Sequence, residues 1–233
     1  MLFNLFTKSK TESKLTLKHW LMISCGFSCV LVFARVAVTG YMTYLNMPWN
    51  LFLAFIPYVI SEFLSRNIPL MEHKWKRAGI IILWLLFIPN TFYIVTDLFH
   101  LDEFDTAPKW FDLLLLFSFA WNGLVFGFVS IRKMSIIQQV ISGQRFYLLF
   151  IFAVMWLNAF GIYIGRYLRY NSWDVIAQPF SLFSELLEMI YNPLQNKMEW
   201  GMITIWAVFM TLFYFTIEKM AESFLSRYQQ QTR

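Results

Sequence analysis

The sequence is poor in charge and in cysteine, and each shortage excludes a class of protein. Only 14% of its 233 residues are charged, while 58% are hydrophobic and the mean hydropathy is +0.53. A soluble domain of this length has too little interior to bury that fraction. The two cysteines, Cys25 and Cys29, lie four apart in one apolar run, where a disulfide is geometrically unsuitable. No metal or redox pattern surrounds them, so we predict small packing residues.

What the chain has in place of these features is a series of long apolar blocks. Each block is long enough to cross the ~30 Å hydrocarbon core of a bilayer at ~1.5 Å per residue of helix. None shows the alternation that is typical of a membrane barrel, and the first is too long for a cleaved signal peptide. We therefore predict an all-α, polytopic transmembrane bundle of six helices. The blocks are 20–44, 49–66, 78–100, 110–131, 146–169 and 200–218.

Lysine and arginine are distributed unevenly between the connections. Fourteen of the 19 fall before the first block, in 66–77, in 132–145 or after the last block. The positive-inside rule then places both termini in the cytoplasm. The predicted division is a basic segment (1–18), a six-helix membrane domain (19–218) and a cytoplasmic tail (219–233). These loops account for the net charge of +5, so the predicted partner is the lipid bilayer and not nucleic acid.

The longest connection contains an amphipathic segment, and two spans contain paired glycines. Apolar residues recur at helical spacing over 179–191, opposite serine and glutamate. This segment lacks the Lys and Arg of a helix that binds anionic lipid, so we predict an outer-face helix that packs on the bundle as a lid. The spacings Gly123–Gly127 and Gly161–Gly165 predict close helix packing within the bundle.

Polar residues concentrate at the predicted extracytoplasmic ends of the spans, whereas the inner halves of the same helices are almost purely apolar. Asn90, Tyr93, Asp97 and His100 share one face at ~100° per residue, and Pro89 predicts a kink before them. Polar side chains are costly inside a bilayer, which favours a functional site over simple helix pairing. The candidate catalytic residues are Asp97, His100 and Asp112. The candidate substrate-binding residues are Arg35, Asn50, Asn90, Tyr93, Arg166, Arg169, Asn171 and Asp174.

The leading interpretation of this set is recognition, with or without chemical processing, of an anionic or lipid-linked substrate in the outer leaflet. Arg166 and Arg169 are three residues apart, and with Arg35 they supply guanidinium groups that fork onto phosphate or carboxylate oxygens. Asp97 or Asp112 would then act as a general base. His100 would act as a general acid or proton relay.

Other interpretations stay open. Asp97 and His100 at i, i+3 can face one metal ion, with Asp112 or Asp174 as a third ligand, but one histidine makes the pattern weak and we assign no metal site. Buried carboxylates beside a kink also fit a small proton-coupled transporter. A third alternative is a structural subunit of a membrane complex. The sequence specifies no cofactor and no oligomeric state, and it leaves open whether the protein is an enzyme.

The chain resembles a family of bacterial integral membrane proteins that is catalogued as a domain of unknown function. The resemblance covers about residues 30–218. It implies a bacterial inner or plasma membrane location and a multi-helix fold, and it supplies no activity. The segments that carry it are WNLFLAFIPY (49–58), IPNTFYIVTDLFHL (88–101), PKWFDLLLLFSFAWNGLVFGF (108–128) and GIYIGRYLRYNSWDV (161–175).

Overall fold

The structure, a computed structural model, describes residues 16–170 and 177–231, and this part of the chain is helical without strands. Six stretches of it are long and apolar enough to span a membrane, which confirms an all-α multi-pass protein. The α-helices are α1 Leu17–Thr39, α2 Met47–Arg66, α3 Ile68–Glu72, α4 Lys74–Phe87, α5 Pro89–Tyr93, α6 Lys109–Ser142, α7 Tyr147–Arg166, α8 Pro179–Tyr191 and α9 Lys197–Gln231. Two 3-10 helices, Ile94–Asp102 and Gln144–Phe146, precede α6 and α7.

The first span ends earlier than the predicted 20–44. Gly40 adopts the left-handed conformation, with a φ of 73°, and its N–H donates to the carbonyl of Val36. Glycine takes this conformation without the steric cost that a side chain brings, so it is a frequent helix terminator. The helix therefore stops at Thr39, and the next residues form the turn into α2.

The third span is broken, as the proline in its middle predicts. Pro89 has no N–H to continue the helical ladder, and the chain passes from α4 into the short α5 at this point. It then continues as a 3-10 helix of nine residues, Ile94–Asp102. Runs of 3-10 helix longer than three or four residues are uncommon and often mark a functional or strained segment.

Paired glycines on both sides hold the broken span in place. A Cβ added to Gly161 would lie 2.5 Å from the Cβ of Pro89, and one added to Gly127 would lie 2.6 Å from the Oγ1 of Thr91. The predicted close packing within the bundle is therefore confirmed for both GxxxG pairs. The contacting pairs are Gly123 with Ile94, Gly127 with Thr91, Gly161 with Pro89 and Gly165 with Tyr93.

Helix α6 is the centre of the bundle. Within its membrane-spanning window 61% of the residues are buried, against 22–39% in the other spans. The other spans therefore have most of their window residues partly or fully exposed at the surface of the bundle, and α6 packs among them. It also runs eleven residues beyond the predicted end of its block, to Ser142.

Candidate functional site

Polar side chains from separate spans meet at one end of the bundle, which we call the site end. Arg35 lies near the last turn of α1 and Asn50 in the first turn of α2. Asp97 lies in the 3-10 helix that ends the third span, Asp112 in the first turn of α6 and Arg166 at the last residue of α7. Because consecutive spans run in opposite directions, these five positions, each in a different part of the sequence, lie at the same end of the bundle.

Arg35 and Asp112 form a sealed ion pair. Nε and Nη2 of Arg35 donate to the two carboxylate oxygens of Asp112 at 2.7 and 2.9 Å, and Nη2 also donates to the Oγ1 of Thr106 at 3.0 Å. Both charged residues are 1% exposed. The forked geometry is the strong form of this contact, and it occupies both oxygens of Asp112. This favours a structural role for Asp112 over the predicted role of general base.

Tyr44 connects this pair to the rest of the site. Its ring lies under the guanidinium of Arg35, 4.9 Å from the carbon to the ring centre. Its hydroxyl donates to the backbone carbonyl of His100 at 2.9 Å. Burial, and next the carboxylate of Asp112, raise the pKa of Tyr44 to about 12, so the hydroxyl keeps its proton. Tyr44 has a φ of 64°, rare for a residue with a side chain, and these contacts hold it there.

Arg166 is the centre of a second, more open cluster. Its Nε donates to the Oγ1 of Thr96 at 3.1 Å, and its Nη2 donates to the Oδ1 of Asp97 at 3.1 Å. Its Nη1 lies 2.7 Å from the Nε2 of His100. The guanidinium carbon also stands over the ring of Tyr93, 5.2 Å from its centre. A single arginine therefore connects the end of α7 to four positions of the third span.

The 3-10 geometry explains why the side chains of Asp97, His100 and Glu103 lie in one row. Residues three apart are eclipsed on a 3-10 helix, so the first two align on one side and Glu103 caps the end. The Oε1 of Glu103 lies 2.7 Å from the Nδ1 of His100. Since Nε2 must accept from Arg166, the network assigns the proton to Nδ1, which donates to Glu103. At the inner end of the row, Asn50 donates its Nδ2 to the Oδ2 of Asp97 at 3.1 Å.

Exposure increases along this row. Asp97 is 3% exposed as a residue, while the side chain of Arg166 is 16%, that of His100 33% and that of Glu103 51% exposed. Asp97 is thus the closed end of a polar row that opens at Glu103, in the loop between the 3-10 helix and α6. Arg166 and His100 are therefore partly accessible to a ligand without unfolding of a span, and Glu103 is more accessible still.

Comparison with known proteins gives the family of the chain and no activity. The model of a family described as Protein of unknown function (DUF1361) matches residues 49–216, more than two thirds of the chain. The chain belongs to this family. The match confirms the resemblance noted in the sequence, and it includes every site residue named above except Arg35 and Tyr44. Comparisons with curated proteins and with solved structures found no match.

Some predicted site residues stand apart from the two clusters. The Nδ2 of Asn90 donates to the carbonyl of Phe87 at 2.9 Å, which is a contact within the kink. Arg169 does not continue the helical face of Arg166, because α7 ends at Arg166 and Arg169 is exposed with a φ of 60°. The two arginines therefore do not share a helical face, and their joint contact with one anion stays a prediction. Asn171 and Asp174 lie outside the described residues.

The metal interpretation lacks a ligand set in the described ranges. No group of three His, Cys, Asp or Glu in them is arranged to hold an ion. Asp97 and His100 both face Arg166, and a cation there would meet the guanidinium. Asp112 belongs to the other pair, with Arg35.

The structure adds ionic contacts at the opposite end of the bundle, where the sequence suggested almost purely apolar halves. Glu62 of α2 pairs with Lys133 of α6, and Glu218 of α9 pairs with Arg132. The hydroxyl of Tyr147 also donates to Glu218, at 2.5 Å. Arg132 and Lys133 lie in the predicted connection 132–145, whereas Glu62, Tyr147 and Glu218 lie inside the predicted blocks 49–66, 146–169 and 200–218. The two glutamates within apolar blocks were the available signal.

Proposed function

We propose that this membrane protein recognises an anionic group, a phosphate or carboxylate carried by a lipid or lipid-linked molecule, through Arg166 at the site end. The observation that carries the proposal is the unused donor capacity of this side chain. A guanidinium has five N–H donors, and Thr96, His100 and Asp97 occupy three of them. Among the described residues, no other hydrogen-bond partner takes the second hydrogen on Nη1 or on Nη2, and these two face a ligand at the partly exposed edge.

The surroundings of Arg166 support a lipid-borne ligand. The ring of Phe99, 62% exposed, lies 5.8 Å from the guanidinium carbon and offers an apolar surface beside the charge. Arg169, exposed and three residues on, adds a second positive charge at the same end of α7. An anionic headgroup with an apolar tail matches both features, whereas a small hydrophilic anion uses the charge alone.

His100 and Glu103 supply the chemistry if the bound molecule is processed. When a ligand oxygen takes the Nη1 hydrogen of Arg166, the Nε2 lone pair of His100 is released. It can then accept a proton from water or from a ligand hydroxyl, while Glu103 holds the ring by Nδ1–H and stabilises the imidazolium. Asp97, which the sequence suggested as a general base, would instead serve as the counter-ion that positions Arg166.

The orientation that goes with this function is the one that the basic residues favour. With 14 of the 19 Lys and Arg in the termini and in two of the loops, both termini are cytoplasmic and the site end faces outward. In a bacterial cell the membrane would be the plasma membrane, and the ligand would come from its outer leaflet. The family resemblance supports this location.

Native mass spectrometry of the purified protein tests the proposal. We expect a retained mass of a phosphorylated or carboxylated lipid in the wild type, and its loss in Arg166→Ala. Arg166→Lys keeps the charge without the fork and should retain less ligand than the wild type. Arg132→Ala is the matched control, since this arginine pairs with Glu218 at the opposite end, and its retained ligand should equal that of the wild type.

A variant of the carboxylate that pairs with Arg166 should change ligand retention in the opposite direction. Asp97→Asn removes the anion that competes for Arg166, so we expect ligand retention to rise while any processing activity falls. Bare protein in the wild type and in every variant would contradict the proposal. Equal retention in wild type and Arg166→Ala would move the ligand to another site.

A proton-coupled transporter is the second candidate, and the broken third span favours it. Transporters often bind their substrate where a membrane helix is interrupted, and here the interruption carries the buried Asp97. Uptake into proteoliposomes that disappears when the proton gradient is removed, and in Asp97→Asn, would favour transport. Ligand retention without such uptake would favour the binding function.

A further inference from the structure

Helix α8, Pro179–Tyr191, has three different faces. Its first face packs on the bundle. Leu182 is 8% exposed and Met189 is 4% exposed, and at ~100° per residue their directions differ by only ~20°. The indole Nε1 of Trp200, in α9, donates to the carbonyl of Met189 at 3.2 Å and fixes that end of the helix. A narrow stripe of α8 is therefore what holds it to the protein.

The second face is apolar and uncovered. Its four exposed members lie within an arc of ~100° that is separate from the buried stripe. Two leucines of α8 are half-buried: Leu186 lies between the buried stripe and the apolar face, and Leu187 lies within the apolar face itself. The exposed members are Phe180 (88%), Phe183 (61%), Ile190 (55%) and Tyr191 (77%).

The third face is polar and completes the circle. Ser181, Ser184, Glu185 and Glu188 are all exposed and fall in the remaining arc. The hydroxyl of Tyr170 donates to the Oε1 of Glu185 at 3.0 Å, which connects α8 to the chain just after Arg166. A helix with one face on protein, one apolar and one polar has the pattern of a helix at a membrane surface.

The position of α8 in the chain decides what covers the apolar face. It lies between α7 and α9, two consecutive membrane spans, so it is at one boundary of the bilayer, at the site end. Its 13 residues extend ~20 Å, too short to cross the ~30 Å core. We propose that α8 is an interfacial helix whose Phe180, Phe183, Ile190 and Tyr191 insert into the lipid leaflet at the site end.

This proposal replaces the lid packed on the bundle that the sequence suggested, and it does not depend on the ligand proposed for Arg166. It also specifies the lipid. Residues 179–191 contain no Lys or Arg, and Glu185 and Glu188 border the inserted face. The helix is therefore held by apolar insertion into zwitterionic lipid, and an anionic surface repels it.

Spin labels in proteoliposomes of phosphatidylcholine test the insertion. The full chain with Cys25→Ala and Cys29→Ala receives one cysteine, Phe183→Cys or Ile190→Cys on the apolar face, or Ser184→Cys on the polar face as the matched control. We expect the labels at 183 and 190 to be more accessible to oxygen than to a water-soluble nickel complex. The label at 184 should show the reverse order.

Two results would overturn the proposal. Nickel accessibility at 183 and 190 equal to that at 184 would place the apolar face in water. Spin–spin broadening at 183 and 190 that disappears on dilution with unlabelled protein would show that a second copy covers the face. The vesicle composition gives the third measurement: added phosphatidylglycerol should leave the depth unchanged or reduce it, and a deeper label would contradict the lipid assignment.

Discussion

At the scale of single residues, Arg35 and Arg166 use the same guanidinium chemistry in different ways. Arg35 is 1% exposed and forked onto both oxygens of Asp112, so nothing about this pair is open to a ligand. Arg166 divides its donors among three partners and keeps an exposed edge. A buried pair is costly to break, and a shared, partly exposed one can exchange partners. This contrast supports a structural role for Arg35 and is consistent with the recognition role that we propose for Arg166.

The buried pair leads to a stability prediction. Asp112→Asn leaves the charge of Arg35 buried without a counter-ion, and we expect it to lower the free energy of unfolding by about 3–5 kcal/mol. Arg35→Met combined with Asp112→Leu should recover much of this loss, because neither charge remains. Detergent unfolding followed by circular dichroism measures both. Glu222→Gln, in an exposed pair with Lys219, is the control that should change little.

Tyr44 leads to a prediction about alkaline pH. Its pKa is raised from 10.0 to about 12 by burial, so folding favours the protonated phenol. The stability that this shift contributes is complete below pH 10 and is lost as the pH rises through about 12. Tyr44→Phe should therefore show a smaller loss of unfolding free energy over this range than the wild type. Parallel curves for the two proteins would contradict the assignment.

The sequence predicted which residues belong to the site end more accurately than it predicted their partners. Asn50, Asp97, His100 and Arg166 were identified from depth and helix face, and the structure brings them together. Thr96 and Thr106 were missed, because a threonine hydroxyl in an apolar run gives no signal until its partner is known. Hydropathy fixes the depth of a residue in a span, but the partner comes from how the spans pack.

At the scale of elements, the broken third span is the part that sequence periodicity described incorrectly. The face of Asn90, Tyr93, Asp97 and His100 was drawn on a regular α-helix, whereas the chain changes to 3-10 geometry after Tyr93. The two geometries agree on Asp97 and His100, since residues three apart are neighbours in both. They differ for Asn90, which bonds within the kink. The sequence of the third span alone does not predict this change from α-helix to 3-10 helix. The space that the broken span occupies is provided by glycines on two other helices, α6 and α7.

The glycine contacts can be tested directly. In Gly161→Ala the new methyl group would lie 2.5 Å from the Cβ of Pro89, so α7 and α5 must separate. We expect a loss of about 1–3 kcal/mol in the free energy of unfolding. Gly26→Ala in α1 meets nothing within 4 Å and should instead gain about 0.5–1 kcal/mol from helix propensity. A Gly161→Ala protein as stable as the wild type would show that α5 is not held by this contact.

At the scale of the whole molecule, the ion pairs between the described spans form two sets, one at each end of the bundle. The site end has a sealed pair and an open row, while the opposite end has Glu62 with Lys133 and Glu218 with Arg132. Both sets meet on α6, the most buried span. The set at the opposite end lies beside the basic loops, as residues at a cytoplasmic boundary do. The end that lies beside the basic loops is the one that the proposed orientation places in the cytoplasm, and the site end is the other.

The orientation is the prediction on which the outward-facing site depends, and matched lysine positions test it. In a chain with Cys25→Ala and Cys29→Ala, we place one cysteine at Lys197, at the start of α9, or at Lys76, in the first turn of α4. Both positions are exposed, so reactivity depends on the side of the membrane and not on burial. A membrane-impermeant maleimide added to intact cells should label Lys197→Cys and leave Lys76→Cys unlabelled until the cells are opened. The reverse order would turn the site end toward the cytoplasm, and Arg166 would then meet inner-leaflet or soluble anions.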